Sequence, residues 1–74
     1  MDTSEIERLI MQAIPGAIVQ ARTDDGRHFT AMVVAKAFTG KSRVQQHQMV
    51  YEALKDKIGS DELHALALQT SAPE

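Results

Sequence analysis

A chain of 74 residues with no cysteine and a formal net charge of −2 has room for one domain and no more. It excludes disulfides and thiolate chemistry from its own side chains, and it argues against tight, general binding of polyanions, which requires excess positive charge. Hydrophobic residues at 43% and charged residues at 24% are those of a folded domain, although one this small is marginally stable and gains from a bound partner.

The start, MDTSEIERL, is acidic and amphipathic, unlike a secretory or organelle-targeting segment. No apolar run approaches the ~20 residues that span a bilayer, so a cytoplasmic protein is expected. The first predicted helix runs from Ser4 to Ile14, with Ile6, Leu9, Ile10, Ala13 and Ile14 on one face. Ser4 and Glu7 have the spacing of a capping box, and Pro15-Gly16 ends the helix. Ala17 to Thr23 is a strand candidate. Asp24-Asp25-Gly26-Arg27 supplies a turn, since Asp-Gly tolerates positive φ. His28 to Ala35, HFTAMVVA, is a second strand, and the two are expected to pair as an antiparallel hairpin.

A short connection, Lys36 to Lys41, leads to the longest predicted helix, Ser42 to Ile58, with Ser42 and Gln45 as a capping box and Gly59 just past its end. Leu63 to Gln69 reads as a third strand, with His64 near its start, and the tail SAPE as frayed. The order α-β-β-α-β predicts a small α+β domain, a three-stranded sheet with two helices packed on one face. Its open sheet edges allow a monomer or a weak homo-oligomer.

Chemistry is sparse. The three histidines are the main ligand or acid–base candidates. His47 falls on a stripe with Val44, Tyr51, Leu54 and Ile58, which favours a packing role, and the glutamines beside it are expected in solvent. His28 and His64 sit at predicted strand starts, where a plain surface histidine is as good a reading as a ligand. There is no HExxH, CxxC or close His-x-His pair, so a self-contained zinc site is not expected. FTGKS lacks the glycine spacing of a P-loop, and no nucleophile–base constellation marks an enzyme. The residues alone predict a small soluble binding module.

Three stretches taken together, HFTAMVVAKAFTGKS, RVQQHQMVYEAL and ELHALALQTSAPE, resemble the BolA-like family in order and spacing. The resemblance spans roughly residues 5 to 74 and implies a fold similar to the class II KH domain. It also implies a further helix after SAPE, where this sequence stops. For function it implies a non-enzymatic adaptor or regulator in iron–sulfur cluster handling and iron sensing. Such a protein pairs with a monothiol glutaredoxin and shares a bridging [2Fe-2S] cluster. The glutaredoxin and its glutathione supply sulfur, His64 of the H-A-L motif supplies a nitrogen, and His28 stands at the end of the loop where a second ligand is sought. The isolated chain is expected to bind no cofactor. The alternative is a transcriptional or stress regulator that touches nucleic acid through the basic start of the second helix, with Lys41, Arg43 and His47 on a partner or nucleic-acid surface. The Gly-x-x-Gly loop with which KH domains grip nucleic acid is not present between the helices.

Overall fold

The computed structural model describes residues 2–74, with the backbone alone at Ser60. The first helix, α1 (Thr3–Ala13), buries Ile6, Leu9 and Ile10 as its periodicity requires. Its cap is Asp2, not Ser4: the Asp2 side chain accepts from the Glu5 N–H at 2.8 Å. Glu7 is thereby free to reach elsewhere, and its Oε2 accepts from the Ala21 N–H at 2.9 Å. Gly16, at φ +83°, supplies the left-handed backbone that turns the chain into the sheet.

Strands β1 (Ile18–Thr23) and β2 (Phe29–Val34) pair antiparallel, with Ala21 opposite Ala31 and Thr23 opposite Phe29. The hairpin between them is a five-residue loop, 24–28, longer than the expected tight turn, and β2 begins at Phe29, one residue after His28. Along β2 the side chains of Phe29, Ala31 and Val33 are buried, whereas Thr30 and Met32 are exposed. This is the period-2 alternation of a sheet covered on one face.

A 3-10 turn, Lys36–Phe38, follows, and its Phe38 is fully buried. Helix α2 (Arg43–Leu54) then starts at the expected capping box. Ser42 accepts from the Gln45 N–H, and the Gln45 side chain accepts from the Ser42 N–H. The helix stops at Leu54, earlier than predicted, and Ile58 is buried from a turn beyond it. Gly59 does not terminate α2. It is the N-cap of a further helix, α3 (Ser60–His64), that the hydrophobic pattern does not announce.

Strand β3 (Leu66–Ser71) runs parallel to β2, with Phe29 beside Leu66 and Val34 beside Ser71. The sheet order is therefore β1-β2-β3, and the parallel pair is joined by a crossover through α2 and α3, as parallel strands require. The strand extends past Gln69 through Thr70 to Ser71, so Ser71 is a strand residue and not frayed tail. The α+β architecture holds, with α1 against β1, α2 against β3 and the two helices against each other. Between these layers lies one core that includes Ile6, Ile10, Phe38, Val50 and Leu54 and holds no buried polar residue among those described.

The predicted stripe on α2 holds at its C-terminal end, where Leu54 and Ile58 are buried, and fails at its start. Val50 and Leu54 point into the core, whereas Val44 is 66% exposed and His47 and Tyr51 are half-buried. Gln46, expected in solvent, is half-buried. Its Nε2 donates to Lys41 O at 2.9 Å and to Phe38 O at 3.4 Å, while its Oε1 accepts from Thr70 Oγ1 at 2.7 Å. One carboxamide thus ties the helix, the loop before it and β3 together. Among the described residues no helix is long and apolar enough to cross a membrane.

Candidate functional site

The 24–28 loop builds its own frame. The Asp25 carboxylate accepts from the backbone N–H groups of Arg27 and His28, at 2.8 and 2.9 Å. Thr23 Oγ1 donates to His28 O and accepts from the Gly26 N–H. Gly26 sits at φ +74°, a conformation that strains residues with a Cβ. His28 is fixed in this frame by its ring: Nδ1 lies 2.9 Å from Asp25 Oδ2, with the histidine side chain 79% exposed. The hydrogen bonds from His28, ring first, hold the Asp25 carboxyl well below the usual carboxylate range. With Nδ1 engaged, Nε2 is the ring nitrogen left for a ligand. A carboxylate behind an imidazole is also the usual outer partner of a metal-binding histidine, because it fixes the tautomer and the ring orientation.

His64 closes α3 and is exposed; it does not lie in the third strand, as its apolar neighbours had led one to expect. The strand order now decides the question that spacing left open. The Phe29 N–H donates to Ala65 O at 2.9 Å, so the residues that follow His28 and His64 are bonded to each other. Both histidines stand at the same end of two adjacent parallel strands. Among the described residues no group of three or more His, Cys, Asp or Glu is placed to hold a metal ion. Two imidazoles at one end of a sheet fall short of the three or four protein donors of a self-contained metal site.

Lys41 and Arg43 lie at the other end of the sheet. They flank the α2 cap and are exposed, with Lys36 nearby on the 3-10 turn. From Gly26 to Tyr51 the chain has no Asp or Glu, although Glu52 lines the same groove as Lys41. His47 belongs to neither group. It is half-buried in mid-helix, and its Nε2 is buried with no hydrogen-bond partner. Sequence reading missed Asp25 as the group that orients His28. The signal was present in the Asp-x-x-His spacing of the loop, where a carboxylate can bond both the backbone and the ring of the residue three positions on.

A small α+β domain with paired strand-end histidines and a basic helix start is the class of protein that this fold and site define. Comparison with known proteins gives the family: residues 6–74 match the BolA-like protein family, and the chain belongs to it. It is 33% identical over 73 residues to the Escherichia coli acid stress protein IbaG, covering 99% of this chain and 86% of that protein. It is 35% identical over 68 residues to the chloroplastic protein BOLA1 of Arabidopsis thaliana, of which it spans 42%. Among solved structures, a bolA protein homologue from Coxiella burnetii superposes with a TM-score of 0.83 at 35% identity, covering 99% of this chain and 92% of that one. The BolA domain of SufE1 from Arabidopsis thaliana superposes at 0.78, with 26% identity and coverage of 96% and 91%.

Proposed function

We propose that this protein is a non-enzymatic, stress-linked regulator that works by sharing a [2Fe-2S] cluster with a monothiol glutaredoxin. His64 and His28 are this chain's ligands, and the partner and its glutathione supply the sulfur. The observation that carries the reading is the pairing of the two strand starts, which sets two exposed imidazoles at one end of the molecule. Family membership and the name of the acid stress relative support the regulatory role. The absence of cysteine supports a partner as the source of thiolate. When bound, the cluster would supply redox and iron-sensing chemistry, with imidazole in place of thiolate altering its potential and lability. This chain's own part is to present Nε2 of His28, held from behind by Asp25, and the ring of His64 at the end of α3.

The test is reconstitution. The protein is mixed with a cluster-loaded monothiol glutaredoxin and glutathione and followed by visible absorbance and circular dichroism, beside the His64→Ala and His28→Ala variants. The expected result is a new cluster spectrum with wild type that His64→Ala abolishes and His28→Ala weakens. A spectrum identical in all three removes histidine ligation.

One observation favours a second reading. The segment from Gly26 to Tyr51 carries cations and no anions, and its Lys41 and Arg43 are exposed at the start of α2, an arrangement suited to phosphate contacts. Gel shifts across a salt series with the Lys41→Glu, Arg43→Glu double variant test it. Binding that survives the charge reversal eliminates this surface.

A further inference from the structure

The two edges of the sheet are guarded unequally. On β1, the Glu7 carboxylate closes the Ala21 N–H. On β3, the ladder with β2 determines which backbone groups face out. The Phe29 N–H donates to Ala65 O and the Ala35 N–H donates to Ser71 O. In a parallel ladder this turns the backbone groups of Ala65, Ala67, Gln69 and Ser71 toward β2 and those of Leu66, Leu68 and Thr70 away from it. The Tyr51 hydroxyl donates to Leu66 O. No group among the described residues takes up the outward N–H and C=O of Leu68 and Thr70. The strand itself, LALQTS, has no charge and no proline, the devices by which edge strands repel a second strand.

The flank of that edge is also unfinished. Tyr51 reaches the outer side of β3, and His47 and Val44 lie four and seven residues before it on the same helix face. Val44 is 66% exposed and the other two are half-buried. An apolar helix stripe therefore runs beside an unpaired strand.

We propose that β3 joins two copies of this chain, antiparallel about a two-fold axis at Gln69, turning two three-stranded sheets into one of six strands. In that register Leu68 faces Thr70 of the second copy and exchanges both backbone bonds with it, twice across the axis. Gln69 faces its own counterpart, and Ala67 faces Ser71. No like charges meet, because the strand has none. The stripes of Val44, His47 and Tyr51 approach each other below the new strand pair. The carboxylate of Glu7 obstructs the β1 edge, so the assembly closes at two copies and does not grow into a fibre. The contact goes beyond the cluster-sharing role and does not depend on it.

The cysteine-free sequence makes the test direct. Gln69→Cys introduces a single exposed thiol that meets its counterpart at a non-hydrogen-bonded pair, where Cα atoms are about 4.5 Å apart, within the range a disulfide spans. Ala67→Cys and Ser71→Cys put thiols at exposed positions on the same face but about 14 Å from their counterparts, at ~3.4 Å per residue. Under mild oxidation the Gln69→Cys dimer should form on the order of tenfold faster than either control, because pairing raises the local thiol concentration. Equal rates at the three positions would overturn the proposal. Sedimentation of the unmodified protein should show a concentration-dependent dimer that Gln69→Lys, with like charges across the axis, abolishes. A monomer throughout, or a dimer indifferent to Gln69→Lys, would overturn it as well.

Discussion

The two ends of the sheet are built by opposite means. At the end where α2 begins, position is set by burial and by a side chain that bridges elements. Phe38 fills the core, the Ser42–Gln45 box closes the helix, and the Gln46 carboxamide joins loop, helix and strand. At the histidine end, position is set by a loop bonding to itself. Asp25 and Thr23 fasten the backbone of 24–28, and His28 stands in solvent on an oriented ring. The first arrangement fixes side chains by burial and bridging bonds, whereas the second, although Phe29 and Leu66 below it are buried, leaves two exposed imidazoles.

The sharpest way to break this contrast is to exchange the consequences of mutation. His64→Ala should abolish the cluster spectrum of the mixed complex while leaving the urea midpoint of the isolated chain within ~0.5 kcal/mol of wild type, as expected of an exposed site. Phe38→Ala should do the reverse, costing about 3–5 kcal/mol, read by the same denaturation, and a chain that fails to fold is consistent with that loss. Gln46→Ala should cost about 1–2 kcal/mol by removing the donor to the Lys41 carbonyl and the acceptor of the half-buried Thr70 hydroxyl; the Phe38 carbonyl keeps the Lys41 N–H. Ser42→Ala should cost ~1 kcal/mol through the lost cap. If either of these last two disturbed cluster sharing more than folding, the separation of the ends would fail.

The smallest effect concerns pH. The folded carboxyl of Asp25 titrates below its ordinary value, so what it adds to the order of the loop is complete above the ordinary carboxylate range. That contribution is lost as pH falls through the lower folded value. An NMR titration of the Asp25 carboxyl should show this depression, and His28→Ala should move it back toward the ordinary range. Because the pair is exposed, the effect on global stability should be within the error of denaturation.

The contrast also explains what could be read from the sequence. The α2 cap was legible because Ser-x-x-Gln is a local signal, and α1 because its apolar spacing is regular. The α+β fold was legible from the order of the elements, and the family resemblance agrees with it. The histidine end was not legible in detail. His64 lies among alternating apolar residues that imitate a strand, yet Gly59 and Glu62 cap a five-residue helix there. Of the stripe Val44, His47, Tyr51, Leu54 and Ile58, the last two are buried, with Val50 beside them, and His47 is half-buried, but Val44 at the first turn of α2 lies out in solvent. Gln46 could not be found at all, since its partners lie on a loop and on a strand 24 residues away. Above all, the nearness of His28 and His64 depends on β3 lying parallel to β2, and no local pattern encodes strand order.

The central claim is that this chain donates histidine nitrogen to a cluster shared with its partner. The most direct measurement is pulsed electron paramagnetic resonance on the reduced mixed complex, with this chain alone labelled with 15N-histidine. The account predicts 15N hyperfine coupling from the labelled chain that disappears with His64→Ala. A reduced cluster with no coupling to the label would contradict it.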